Sequence, residues 1–176
     1  MRLIALTFAF LCLIPLAATA DSRINVRNDL TVVQAARPGQ PHCVATSRDD
    51  ARQALEATNA LRRQHGLRPL RVNAALAAAA AGHACDMAAR GLMTHEGRAG
   101  GGPAQRARAA GFQPRTTAEN IAAGPFTLER VVAEWNRSPG HMGNILLPQI
   151  RDFGIGRAVA EDGKTVFWAA VYAAPR

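Results

Sequence analysis

The sequence predicts an α/β (α+β) domain, a three-layer α-β-α sandwich around a small antiparallel sheet. Apolar side chains recur at helical spacing in several capped segments. Two apolar runs near the C-terminus are separated by a hairpin turn signal. The second of these runs is apolar on both faces, so helices must cover both sides of the sheet.

The length of 176 residues suits one domain with a short extension. Hydrophobic residues make up 48% of the chain but aromatics only 5%, so the core must rest on Ala, Leu, Val and Ile. The net charge is +8, carried by twenty arginines and a single lysine. The arginines are scattered with no block of five, which reads as a solvated surface rather than a dedicated anion site. Nucleic acid is excluded as a partner: no arginine-aromatic stripe or binding motif is present, and the compartment is wrong.

Residues 1–20 read as a signal peptide. Arg2 precedes an apolar run from Leu3 to Leu16, and Ala18-Thr19-Ala20 fits small-residue cleavage before Asp21. The run is too short to span a bilayer comfortably, and Cys12 within it lacks a lipoprotein context. The protein is therefore expected in the periplasm or secreted, and not as an integral membrane protein. Two cysteines then remain, Cys43 and Cys85. In an oxidising compartment they form a candidate disulfide contributing ~3 kcal/mol; the alternative is two buried thiols.

Residues 21–46 lack periodicity and contain Pro38-Gly39-Gln40-Pro41, so they read as a mostly irregular arm, with room for a short strand at Val32-Val33. The domain is expected over 47–176. Ser47 caps a first helix with Asp49 and Asp50 in its first turn, and Gly66 ends it. Asn73 caps a second, in which Leu76, Ala80, His83 and Met87 share one face and Gly91 is the C′ residue. A glycine-rich loop covers 94–104, and a short helix spans 103–110. Glu119 to Gly124 reads as extended. Thr127 opens another helix with the stripe Leu128, Val131, Val132 and Trp135. Ser138-Pro139 starts a brief helix to about Leu146. Phe153–Ala160 and Thr165–Ala173 flank Glu161-Asp162-Gly163-Lys164, a strong hairpin signal. In the second run Phe167, Ala169, Val171 and Ala173 line one face, and Trp168, Ala170 and Tyr172 the other.

Five ordered blocks carry more information than periodicity. They are Leu61–Leu70, Ala74–His95 ending Met93-Thr94-His95-Glu96, Ala118-Glu119-Asn120-Ile121, the Trp135-to-Leu146 block containing Ser138-Pro139-Gly140-His141, and Phe153-Gly154-Ile155-Gly156 with the closing strand. In this order they resemble the bacterial SCP-like branch of the CAP superfamily, which includes cysteine-rich secretory proteins, antigen 5 and plant pathogenesis-related proteins. The resemblance covers roughly 47–176. It implies a CAP-like sandwich in which His95 and His141 face each other across a cleft with Glu119 beside them. Many relatives carry a second cavity glutamate where this chain has Ser138; Glu134, one residue before Trp135, is expected to point elsewhere on its helix.

Such a triad has few chemical options. Two imidazoles and a carboxylate can bind Zn²⁺, so His95, His141 and Glu119 are candidate metal ligands and zinc a candidate cofactor. Glu119 can instead fix one imidazole's tautomer, or a histidine with pKa ~6.5 can act in acid-base catalysis. Ser138 is expected to cap its helix rather than act as a nucleophile. His83 reads as a satisfied core histidine near the cleft, and His42 and His65 as exposed. Glu96 is a weaker candidate for the site. Asn120 and Asn144 are expected to bond backbone around the cleft, and Trp135 and Trp168 to sit in the core. A buried polar network that only organises the fold is the structural alternative to the site. The functional expectation is a secreted ligand- or ion-binding module of the cell envelope, taking a small molecule, lipid or envelope component, and monomeric. The alternative is a metal-assisted, peptidase-like hydrolase with His95, Glu119 and His141 as its core. A third reading uses the arginine-rich surface on anionic envelope material.

Overall fold

The structure is a computed structural model and describes residues 32–176. The expected signal peptide, its cleavage position and residues 21–31 of the arm lie outside the described residues.

Twelve elements follow in chain order: β1 (Val33–Gln34), β2 (His42–Val44), α1 (Arg48–Gln64), β3 (Arg71–Val72), α2 (Ala74–Arg90), β4 (Leu92–Met93), α3 (Pro103–Ala109), β5 (Pro114–Gly124), α4 (Leu128–Arg137), α5 (Pro139–Ile145), β6 (Asp152–Val159) and β7 (Val166–Pro175). Helix starts fall where side-chain oxygens accept orphan backbone N–H groups. Ser47 accepts from Asp50, Asn73 from Ala75 and Leu76, and Thr127 from Arg130. α2 ends at Gly91 with φ 66°, a left-handed conformation that suits glycine.

The main sheet runs β2-β6-β7-β5, with β3 also pairing β6. All its pairings are antiparallel except the parallel β3–β6 contact. The β6–β7 hairpin turns at Gly163, with φ 67°. The two faces of β7 divide as the alternation predicts. Phe167, Ala169, Val171 and Ala173 pack with Leu76, Ala80, Ala84 and Met87 of α2 and Ala107 of α3. Trp168, Ala170 and Tyr172 pack with Ala54 of α1, Val131, Val132 and Trp135 of α4 and Ile145 of α5. α2 lies so close to β6 that a Cβ on Gly154 or Gly156 would meet the backbone of Leu76–Ala77 or Ala80–Ala81. The alanine-rich sequence of α2 permits that approach.

The N-terminal arm is more regular than its composition suggests. Val33–Gln34 pairs with β4, and His42–Val44 is a strand of the main sheet. Both pairings are to residues distant in the chain, so no local pattern marks them. Cys43 on β2 and Cys85 on α2 are joined by a disulfide, with Cα atoms 5.3 Å apart across 42 positions. The bridge ties the arm to the helix that carries His83. The extended segment expected at Glu119–Gly124 is the second half of an eleven-residue strand, because nearly all of β5 pairs along β7. Among the described residues no helix is long and apolar enough to cross a membrane.

Candidate functional site

β5 is the outermost strand at its side of the sheet, and successive residues on it point to opposite layers. Glu119 pairs with Val171, whose side chain belongs to the α2 layer; Asn120 pairs with Ala170, which belongs to the α4–α5 layer. Two adjacent residues thus serve two faces of the sheet at one edge.

On the α2 face Glu119 is 4% exposed and fully engaged. Its Oε1 accepts from His95 Nδ1 at 2.9 Å, and its Oε2 accepts from Arg106 Nη2 at 2.7 Å. Burial alone would raise its pKa. The hydrogen bond from His95 and the charge and hydrogen bond of the Arg106 guanidinium outweigh that, and the carboxyl is held below its ordinary value. A carboxylate only accepts, so His95 Nδ1 carries a proton and donates it, from a side chain 38% exposed. Arg106 also donates to the carbonyls of His95 and Gly101, which holds the glycine-rich loop over the site. His83, from the second helix as expected, is 1% exposed. Its Nε2 donates to the Thr94 carbonyl at 2.8 Å and lies 3.7 Å from Glu119 Oε1. Burial lowers its pKa, so it stands neutral under the carboxylate.

On the other face Asn120 Nδ2 donates to the His141 carbonyl at 3.2 Å and to the Tyr172 hydroxyl at 3.4 Å. Asn144 Nδ2 donates to Asn120 Oδ1 at 2.8 Å and to the Glu119 carbonyl at 3.0 Å. These bonds fasten α5 to β5 and so position His141. Arg62, wholly buried, reinforces the seat: its Nη1 donates to the Ile145 and Leu147 carbonyls at the end of α5. The half-buried His141 ring lies 6.5 Å from the Trp135 ring, and its buried Nδ1 makes no hydrogen bond. Burial, and then repulsion from His95, lower its pKa. His95 meets the edge of β5 on its α2 face, and His141 is held to its other face.

A groove of about 490 Å³ runs beside His141. Met93, Ile121, Phe126, Val131 and Trp135 give it apolar walls, and Arg130, Glu134 and Ser138 also line it. The structure corrects two expectations at this groove. Ser138 occupies the N-cap position of α5, but its hydroxyl makes no capping bond, and the residue is one of those lining the groove. Glu134 does not point away; it lines the same groove, held by Arg130 at 2.7 Å and Arg137 at 3.3 Å. Glu96 is exposed and takes no part in the cluster; its carbonyl accepts from Arg90. His42 and His65 are exposed as expected. Trp135 and Trp168 are core residues whose Nε1 atoms donate to the Ile121 and Phe126 carbonyls.

Sequence reasoning missed Arg106 and Arg62. Each looks like an ordinary cationic helix residue, and only long-range packing reveals its acceptors.

The donor set does not fit a protein-held Zn²⁺. Both oxygens of Glu119 are engaged by neighbours, one of them by a guanidinium whose charge opposes a cation. Two imidazoles fall short of the three or four protein ligands such sites use. Among the described residues no group of three or more His, Cys, Asp or Glu is arranged to hold a metal ion.

The family profile described as CAP, the cysteine-rich secretory protein family, matches residues 55–172. The uncharacterized protein YkwD of Bacillus subtilis is 35% identical over 105 residues, which is 60% of this chain and 41% of that protein. An extracellular protein containing an SCP domain from Bacillus anthracis is 25% identical with a TM-score of 0.64, over 72% of this chain and 40% of that one. An outer surface protein from Borrelia burgdorferi shares the fold, at 22% identity with a TM-score of 0.67, over 77% of this chain and 99% of that one. The chain thus spans less than half the length of the two Bacillus relatives. Sheet order, helical layers and family match agree: the chain belongs to the CAP family and is a bacterial SCP-like member of it.

Proposed function

We propose that this chain is an exported ligand-binding module of the cell envelope whose site is the groove beside His141. The supporting observation is the groove itself. An apolar trough of about 490 Å³ ends at a half-buried imidazole that lacks a hydrogen-bond partner on Nδ1. Pockets of this size, with apolar walls and few polar groups, are the usual form of small-molecule sites. The ligand class that fits is a small amphiphile: an apolar body against Trp135, Val131 and Phe126, and a hydrogen-bonding head at His141. Glu119 fixes the tautomer of His95 and does not bind ligand itself. Relatives described as extracellular or outer-surface proteins support the exported setting.

Anilinonaphthalene sulfonate, an apolar fluorophore with an anionic head, tests the reading. Its fluorescence should rise on adding the protein. The rise should disappear in Ser138→Trp, which fills the groove, and weaken in His141→Ala. Retention of the full signal in Ser138→Trp with the fold intact would refute this site. The metal-assisted hydrolase is disfavoured by the Arg106–Glu119 pair. Zinc titration by calorimetry should show no heat attributable to Glu119, that is, no difference between the native chain and Glu119→Gln.

A further inference from the structure

The net positive charge of the described residues is concentrated at one end of the sheet. β3 and β6 begin there, β7 ends there and β5 begins there. The segments that form this end are 62–71, 108–117, 145–152 and 173–176. They carry Arg62, Arg63, Arg68, Arg71, Arg108, Arg115, Arg151 and Arg176, against a single acid, Asp152. Asp152 is 1% exposed and already paired with Arg71 at 2.8 Å. The remainder of residues 32–176 holds ten basic and ten acidic side chains. The scatter of arginines along the sequence therefore hides a strong polarity in space.

The fold makes this polarity. Loops that are distant in the chain meet because β5 and β6 run the same way and β7 the opposite way. At the far end, the β6–β7 turn and the start of α1 mix signs: Asp50, Glu129, Arg157 and Lys164 line one cavity, and Arg37, Glu161 and Asp162 another.

We propose that the arginine-lined end docks the protein end-on to an anionic lipid bilayer, with guanidinium groups against head-group phosphates. Guanidinium pairs with phosphate oxygens bidentately, and Arg63, Arg68, Arg71, Arg108 and Arg115 are all exposed. The strands at this end spread the charges over ~15 Å at the usual strand spacing, a footprint suited to a flat polyanionic surface. The only Phe, Tyr or Trp in these segments, Phe112, is buried, so none is offered for stacking nucleic-acid bases. Docking in this way leaves the groove at Ile121–Ala123 and His141, farther along β5, open to the side. It does not depend on what the groove binds.

Sedimentation with vesicles tests it, using the exported protein after processing. Phosphatidylcholine vesicles containing phosphatidylglycerol should bind the protein at low salt and release it at ~0.5 M salt, and pure phosphatidylcholine should not bind it. Arg68→Ala with Arg115→Ala should weaken binding about thirty-fold, at roughly five-fold per arginine. Neither side chain makes a hydrogen bond or ion pair among the described residues, and circular dichroism checks that the fold survives. The control pair Arg37→Ala with Lys164→Ala removes equal charge from the mixed end and should leave affinity within about two-fold. Equal losses in the two pairs, equal binding to both vesicle types, or binding to soluble polyphosphate without binding to vesicles would each overturn the proposal.

Discussion

Replacing Arg106 by methionine tests the network at its most demanding point. The guanidinium is 15% exposed and its carboxylate partner 1%, so solvent screens the pair little. Methionine keeps the apolar stem and deletes three donors, those to Glu119 Oε2, the His95 carbonyl and the Gly101 carbonyl. Breaking a buried pair by removing one partner typically costs about 3–5 kcal/mol, because the remaining charge is left uncompensated. At about 3 °C per kcal/mol for a domain of this size, the melting temperature should fall by ~10 °C. The loss should also change with pH. Glu119 in the native chain has a lowered pKa, so it contributes stability above its unfolded value that is lost as pH falls through the folded value. Without Arg106 the burial effect is less opposed, and the protonated form of Glu119 is better tolerated. The gap between native and variant chains should therefore narrow on acidification. Urea denaturation at neutral pH and at about pH 5 measures both effects. A loss under ~1 kcal/mol would mean that the pair behaves as a surface ion pair, and a gap independent of pH would mean that Glu119 is not the group left exposed to the defect.

Other expectations follow from the same contacts. Stability should decline as pH falls below ~6.5, because burial lowers the pKa of both His83 and His141 and protons must bind the unfolded chain more tightly; a flat profile between neutral pH and about pH 5 would contradict this. Nitrogen NMR at neutral pH should find the His95 proton on Nδ1, and Glu119→Gln should destroy that preference; a dominant Nε2–H form in the native chain would break the proposed clamp. Reducing the Cys43–Cys85 bridge should cost about 3–4 kcal/mol in denaturant titrations, and an unchanged midpoint would show that the arm adds nothing to the domain. Gly156→Ala should cost at least ~1–3 kcal/mol through overpacking against α2, whereas a neutral effect would place that helix farther from the sheet.

Local patterns carry most of the architecture. Asn73 and Gly91 bracket α2 because a side-chain cap and a left-handed glycine act over three or four residues. The stripe Leu76, Ala80, His83, Met87 is buried because helical period and burial coincide. The alternation along Phe167–Ala173 assigns each side chain to its layer without reference to any partner. What stays hidden depends on partners remote in sequence. β2 and β3 are two or three residues long and exist only because β6 lies beside them. Arg62 and Arg106 carry no local sign of burial; their acceptors lie on α5, the glycine-rich loop and β5. Ser138 has the sequence of a cap and the backbone position of one, yet its hydroxyl makes no capping bond. Of the site, His95, Glu119 and His141 are named by resemblance to a family. Their geometry rests on β5, whose adjacent Glu119 and Asn120 reach opposite faces.

The proposed site depends most on two distant imidazoles acting on each other across the edge of that strand. Proton NMR titration of His141 in the native chain and in His95→Ala measures this. The pKa of His141 should begin below the ordinary histidine value and rise part of the way back when His95 is removed, since burial remains. An identical His141 titration in both proteins would place the rings out of reach of each other and contradict the account.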